Sequence, residues 1–162
     1  MRKPKILYHG SPRNRLKNIK PQKQTFRDKG EPPLVFATPS LPLAVIFATG
    51  LLSNWAQIGC FGKRFYMVIK NNQKLKIKRS NGSVYILESK NFSCDLQKGM
   101  GSYEWFGKKQ TKPIKSIFYP SLFNAMIKNK INIYFVDNKM FQEIKKSKDH
   151  GYKILQKLSP EK

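Results

Sequence analysis

Apolar residues occur in this chain only in short runs, and this limits the elements that it can form. The longest run, residues 41–52, is interrupted by Pro42 and Gly50 and has the length of a core helix. A helix that spans a membrane needs about 20 consecutive apolar residues, so we expect no membrane span. The other runs are shorter and are separated by turn residues, a pattern typical of short strands with a few helices.

The first third of the chain predicts two strands and a helix. Residues 5–9 predict a strand that ends at the turn cluster of residues 10–12, and residues 34–38 predict a second strand. Ser40 is the expected N-cap of the helix, with Pro42 in its first turn. Apolar residues at helical spacing predict one buried face, formed by Leu43, Ile46, Phe47, Gly50 and Leu51.

The rest of the chain predicts a loop, further strands and late helices. Residues 13–33 are polar and basic and predict a mobile loop with at most one helical turn. A short helix is predicted from its cap, Ser121, to Lys130, and a lysine-rich C-terminal helix over 138–158. The predicted later strands are residues 64–70, 74–78, 83–88, 103–106, 114–119 and 131–136. We therefore predict a strand-dominated α+β fold.

Charge is the most unusual bulk property of the chain. Lys and Arg number 32 against nine Asp and Glu, which gives a net charge of +23 at pH 7. Such a surface attracts polyanions, and DNA or RNA is the obvious partner. However, the lysines far outnumber the arginines and are spread along the whole sequence. Genome composition bias is therefore the alternative explanation, and the sequence leaves both open.

The cysteines and the first residues bear on compartment and cofactors. Cys60 and Cys94 are too few for a disulfide framework, and neither stands in a metal-ligand spacing. The first residues are basic and lead into the first strand without the apolar segment of a signal peptide. We therefore expect a cytoplasmic protein without a metal, and a monomer.

Two residues are candidates for chemistry. His9 ends the first strand beside Gly10, which lets a ligand approach the backbone closely; the alternative is a packed or surface histidine. Glu104 lies between two aromatic residues, where a carboxylate is costly unless it is exposed, paired or used. The alternative for Glu104 is an edge-strand residue paired with a lysine.

Three short motifs, in this order, resemble those of the ADP-ribosyltransferase-like family. They are Leu7-Tyr8-His9-Gly10-Ser11, then Val35-Phe36-Ala37-Thr38 with Ala44 on the following helix, and Ser102-Tyr103-Glu104-Trp105 before Lys112-Pro113-Ile114. This fold is shared by poly-ADP-ribose polymerases, diphtheria-type toxins and RNA 2'-phosphotransferases. The resemblance covers residues 6 to about 135. It implies a split-sheet domain over residues 1–137 and a basic helical extension over residues 138–162.

The resemblance implies that NAD is the substrate and gives the candidate residues their roles. His9 would bind the adenosine-ribose hydroxyl, backbone groups of Gly10 would hold the nicotinamide carboxamide, and Ser11 would also contact NAD. Glu104 would bind the nicotinamide-ribose 2'-hydroxyl and stabilise the oxocarbenium ion. Arg13 or Arg15 would neutralise the pyrophosphate.

The sequence departs from the family at two places. The second-strand tyrosine that stacks on nicotinamide is replaced by Val35 or Phe36, depending on the alignment, and Phe36 could still stack. Ser102 stands where arginine-modifying members have the first glutamate of a Glu-x-Glu pair. We therefore expect an NAD-dependent ADP-ribosyltransferase-like protein acting on a nucleic acid or another macromolecule. The alternatives are a basic nucleic-acid-binding module without catalysis and an RNA 2'-phosphotransferase-like enzyme.

Overall fold

Nine strands form three small sheets in the part of the chain that the structure describes. The computed structural model describes residues 2–23, 30, 32–50, 54–97 and 99–161. The strands are β1 (Ile6–Ser11), β2 (Val35–Ala37), β3 (Ala56–Phe61), β4 (Arg64–Lys70), β5 (Gly82–Glu88), β6 (Ser93–Cys94), β7 (Trp105–Gly107), β8 (Lys115–Tyr119) and β9 (Asn132–Val136). The sheets have the orders β1-β5-β8, β2-β7-β6 and β3-β4-β9. All pairs are antiparallel except β4 with β9, which is parallel.

Short helices connect and cover these sheets. They are α1 (Leu41–Phe47), α2 (Lys74–Lys78), α3 (Leu122–Lys128), α4 (Asn138–Lys146) and α5 (Tyr152–Leu155). The predicted caps are confirmed, because the hydroxyl of Ser40 accepts from Leu43 N and that of Ser121 accepts from Asn124 N. The fold is α+β and strand-rich, as predicted. Among the described residues, no helix is long and apolar enough to cross a membrane.

Strand β4 lies between two hydrophobic clusters because its side chains alternate between two faces. Phe65, Met67 and Ile69 pack in the cluster that also contains α1 and α3. Tyr66 and Val68 face the other cluster, which contains buried side chains of α4 and α5. Residues from 138 onward therefore pack on the third sheet, and the domain boundary at residue 137 stays a prediction.

Residues 74–78, predicted as a strand, form helix α2 instead. The alternation of lysine with Leu75 and Ile77 has the period of a half-buried strand. In the structure only one of the two apolar side chains is buried: Ile77 is 2% exposed and Leu75 is 59% exposed. Lysine and leucine are good helix formers, and the chain enters α2 from a 3-10 turn at Asn71–Gln73. The strand prediction was wrong because alternation over five residues also fits one helical turn.

Other elements differ from expectation in their bounds. The sequence pattern does not predict β3 or β6, and Tyr103 lies in a 3-10 turn, so the strand predicted over 103–106 begins only at Trp105. The helix predicted over 138–158 is two helices, with Gly151 in the left-handed region at φ +83° before the second. Residues 13–23 contain two isolated bridges and no helical turn. Residues 24–29, 31 and 51 of the predicted loop and helix face lie outside the described residues.

Helix α1 packs unusually closely on β1, and Gly10 makes this possible. A Cβ atom at Gly10 would lie 2.6 Å from Ala48 N and closer still to Ala44 O, both backbone atoms of the α1 segment. Backbone atoms cannot move aside as a flexible side chain can. Glycine is therefore required at this position because α1 packs so closely on β1. The sequence analysis explained it instead by the close approach of a ligand to the backbone.

We expect Gly10→Ala to lower the free energy of unfolding by about 2–3 kcal/mol, because overpacking here must shift α1 from β1. Urea denaturation measures the change. Gly30→Ala is the control, since a methyl group there meets nothing within 4 Å. Equal stability of the two variants would contradict the close packing described here.

Candidate functional site

The first two strands are joined across two sheets, and this junction forms one wall of a cavity. Tyr8 and Thr38 exchange two backbone hydrogen bonds, of 2.7 Å and 2.9 Å. Strand β2 in turn pairs with β7, with Phe36 opposite Phe106. The three motifs thus lie on neighbouring segments, although almost 100 residues separate the first from the last.

The cavity has a volume of about 650 Å³, which is within the usual range for small-molecule and cofactor sites. Arg15, the alternative to Arg13 for contacting a phosphate, does not line it; its backbone is left-handed at φ 58° and its side chain is exposed. The predicted site residues that do line the cavity are His9, Gly10, Ser11, Arg13, Phe36 and Glu104. The structure therefore brings together the residues predicted from three motifs, with Arg13 and not Arg15 among them.

His9 lies within β1, which continues to Ser11 beyond the strand end predicted at residue 9, and a hydrogen bond to the next strand fixes its ring. Its Nδ1 lies 2.6 Å from the backbone carbonyl oxygen of Phe36. Because a carbonyl only accepts, Nδ1 carries the proton and donates it. Burial lowers the pKa of His9 below its ordinary value of 6.5, and the bond to Phe36 opposes this in part. The ring is therefore neutral at pH 7, and its Nε2 is an acceptor, suited to a ligand hydroxyl.

Glu104 lies between a 3-10 turn (Gly101–Tyr103) and β7, and its backbone N–H donates to Gly101 O at 3.0 Å. Its carboxylate packs against the backbone of Gly99, where a Cβ atom would clash with both carboxylate oxygens. Gly99 has φ +58°, which other residues rarely adopt. Burial, and then the nearby carboxylates of Asp95 and Glu104, raise the pKa of the Cys94 thiol. The loop before Glu104 thus leaves space for the carboxylate at Gly99, where a larger residue would displace it.

The turn that carries Arg13 is held by side chains of β1 and β5. Ser11 is buried, and its hydroxyl accepts from Arg13 N at 3.1 Å. The hydroxyl of Tyr85 donates to Arg13 O at 2.7 Å and accepts from Leu16 N at 3.1 Å. Ser83 donates to Asn14 Oδ1 at 2.9 Å. The predicted role of Ser11 was contact with a ligand, and its observed hydrogen bond is to the turn.

The sequence analysis gave no site role to several lining residues, among them Tyr103, Phe47 and Lys20. Tyr103 lines the cavity and packs edge-on against Phe65, with ring centroids 5.2 Å apart. Phe47, predicted to be buried on α1, is only half-buried and faces the cavity. Lys20 comes from the predicted loop. Tyr103 adjoins Glu104 in the third motif, and this adjacency was the one signal that could have found it.

The cavity combines a neutral acceptor, fixed charges and aromatic surface. Arg13 and Lys20 bring positive charge, and Glu104 brings negative charge. Phe36 and Tyr103 offer ring faces or edges for stacking. Such a site suits a polar ligand that has hydroxyl groups, an aromatic ring and phosphate.

Among the described residues, no group of three or more His, Cys, Asp or Glu side chains is placed to hold a metal ion. In comparisons with known proteins, no family model, no curated protein and no solved structure matches this chain. The function must therefore be argued from the cavity itself.

The lowered pKa of His9 predicts how stability depends on pH. In the unfolded chain His9 takes up a proton near pH 6.5, whereas in the folded protein it does so only at lower pH. The stability due to neutral His9 is therefore present above pH 6.5 and is lost as pH falls towards the lowered pKa. We expect the difference in unfolding free energy between wild type and His9→Gln to shrink from pH 7.5 to pH 5.

Urea denaturation across this pH range measures that difference. The exposed His150 supplies the control: His150→Asn keeps the titration of His9, and asparagine tolerates the left-handed backbone at φ 53°. A constant difference between wild type and His9→Gln would show that His9 is not held neutral by burial.

Proposed function

We propose that this protein binds NAD in the cavity and transfers ADP-ribose from it to a nucleic acid. The observation that carries the proposal is that His9, Phe36 and Glu104, from three separate motifs, line one cavity. The neutral state of His9 adds support, because its free nitrogen accepts from a ribose hydroxyl without introducing charge. With this function we propose a split-sheet fold of the ADP-ribosyltransferase type.

The proposed assignment gives each group one part of NAD. Nε2 of His9 accepts from a hydroxyl of the adenosine ribose. The guanidinium of Arg13 pairs with the pyrophosphate, for which its fork of donors is suited. The ring of Phe36 stacks on nicotinamide, where members of the ADP-ribosyltransferase-like family have a tyrosine. The backbone of Gly10 binds the carboxamide.

Glu104 acts on the bond that breaks. When the bond between the ribose C1' and the nicotinamide nitrogen breaks, its electron pair leaves with nicotinamide, and positive charge develops on the ribose. A fixed carboxylate near this charge stabilises the transition state more than the ground state. An acceptor oxygen or nitrogen then bonds to C1' and loses its proton to solvent. The carboxylate occupies space that a side chain at position 99 would fill, and Gly99 leaves this space open.

Two alternatives differ from this proposal in what they need. A 2'-phosphotransferase needs paired arginines in the cavity, and Arg13 is the one arginine among the described lining residues. A nucleic-acid-binding module without catalysis needs neither NAD nor a reactive carboxylate. The measurements below distinguish both from an NAD-dependent transferase.

We expect NAD to bind, and His9→Ala to weaken binding by about 1–3 kcal/mol, because a buried ligand hydroxyl loses its partner. Titration calorimetry measures both affinities. The matched control is His150→Ala, outside the cavity, which should bind NAD like the wild type. Absence of binding at millimolar NAD would contradict the proposal and favour the module without catalysis.

We expect Glu104→Gln to leave NAD affinity nearly unchanged and to lower nicotinamide release by about 10²–10³-fold, as for the loss of one preorganised electrostatic contact. Glutamine keeps the shape and an oxygen but removes the charge. Nicotinamide release is measured with candidate nucleic acid present, beside a thermal melt. Glu143→Gln is the control, because it makes the same change at an exposed position on α4.

A structural role for Glu104 would give a different result. Glu104→Gln would then lower the melting temperature and leave nicotinamide release at the wild-type rate. That outcome would exclude Glu104 as the catalytic carboxylate.

A further inference from the structure

A cluster of five cations lies on and beside α2, and we name it the α2 ridge. Residues 32–87 contain no Asp or Glu, so the local sequence offers these cations no counter-charge. Most of its side chains are exposed. The ridge consists of Lys70, Lys74, Lys76, Lys78 and Arg79. Its charge density exceeds what an even spread of lysines along the chain would give.

The ridge lysines are placed over aromatic rings. A cation over a ring face is attracted by the ring quadrupole, which limits its rotamers while leaving N–H donors for another partner. The distances from Nζ to the ring centroid are 5.0 Å for Lys70 over Phe141, 4.9 Å for Lys74 over Phe135, 5.8 Å for Lys76 over Trp55 and 5.0 Å for Lys78 over Phe123. The packing beneath them therefore orders these ammonium groups.

A carboxylate already occupies the ridge. The two oxygens of Glu161 lie 2.7 Å from Lys74 Nζ and 3.4 Å from Lys78 Nζ. Glu161 is held there because its backbone N–H donates to Ile133 O at 2.8 Å, at the edge of β9. Lys74 and Lys78 are four residues apart on one helix, where like charges repel. The geometry thus shows a two-lysine anion site, filled from within the same chain.

We propose that the α2 ridge binds the phosphate backbone of a nucleic acid, and that Glu161 takes the place of a phosphate in the free protein. The inference rests on the proposed nucleic-acid acceptor and assigns where it binds. A phosphate is an anion, like the carboxylate that Lys74 and Lys78 already contact. The regularly spaced phosphates of a duplex provide further anions for Lys70 and Lys76. The ridge offers lysines and one arginine but no free ring face, so the recognition is of backbone and not of base sequence.

The ridge is separate from the cavity. Phe65, near the start of β4, contacts the cavity residue Tyr103, and Lys70 ends the same strand. Five residues of strand extend about 16 Å. Nucleic acid on the ridge is therefore anchored outside the cavity, on the same small domain, which raises the local concentration of acceptor groups.

The proposal is tested by fluorescence anisotropy of a short labelled DNA duplex without NAD. We expect the triple variant Lys74→Gln, Lys76→Gln, Lys78→Gln to bind at least about tenfold more weakly, with the slope of log affinity against log salt reduced by about 2–3. The matched control is Lys108→Gln, Lys109→Gln, Lys112→Gln, which removes the same charge from exposed positions after β7. Equal losses in the two variants would overturn the proposal, because overall charge would then explain the binding.

The variant Glu161→Gln tests the ridge without removing a lysine, should the triple variant fail to fold. We expect it to bind the duplex about three- to tenfold more tightly, because the ridge loses its internal competitor. Glu88→Gln makes the same charge change at an exposed end of β5. Equal affinities of these two variants would overturn the proposal, as would binding to phosphatidylserine vesicles with none to the duplex.

Failure of the ridge proposal can be distinguished from failure of the NAD proposal. The duplex assay contains no NAD, so its result does not depend on the cavity. Conversely, His9→Ala should bind the duplex with wild-type affinity and salt dependence. Loss of NAD binding with intact duplex binding would leave the ridge in place and remove the transferase.

Discussion

The junction of β1 with β2 is the constraint on which the site depends. Two backbone bonds between Tyr8 and Thr38 join the first sheet to the second, and the bond from His9 to Phe36 O adds a third connection one residue further along. The His9 motif and the Glu104 motif belong to separate sheets, and this junction brings them to a common wall of the cavity. The same bond that orients His9 also fixes which of its nitrogens carries the proton. The hydrogen bond from His9 to Phe36 O thus both helps to join the two strands and sets the protonation of the histidine ring.

The sequence correctly predicted features that depend on residues close together in the chain. Features that depend on packing between distant residues could not be predicted from it. The caps Ser40 and Ser121 could be identified because a cap needs only its own helix. Helix α2 could not, since five residues are too few to fix a period, and the choice depends on what buries Ile77 and leaves Leu75 exposed. The glycine at position 10 was noticed, but its reason lies in the backbone of α1, 34 residues or more away. Among the site residues, Tyr103 lines the cavity because of its place beside Glu104 and not because of any pattern of its own.

Charge has different roles at the two places where it is concentrated. In the cavity, charges of both signs lie near a neutral histidine: the backbone of Arg13 is held by its turn, and the carboxylate of Glu104 lies against Gly99. On the α2 ridge, charges of one sign are placed over rings and partly balanced by Glu161. Mixed fixed charge is suited to orienting a small ligand, whereas a one-signed array is suited to a polyanion. The positions of the charged side chains, more than the net charge of +23, therefore distinguish the cavity from the ridge.

This separation bears on the proposed chemistry, because a cationic protein opposes the positive charge that develops on the ribose. Screening by salt limits this opposition, because the Debye length at physiological ionic strength is about 8 Å and Lys70 lies about 16 Å along β4 from Phe65, which contacts the cavity residue Tyr103. The ridge lysines therefore add little to the energy of the proposed cationic transition state. Near the reacting carbon the local carboxylate outweighs distant lysines, since Glu104 acts within the cavity, where screening is weaker. A strongly basic surface and a reaction through a cation are thus compatible in one small domain.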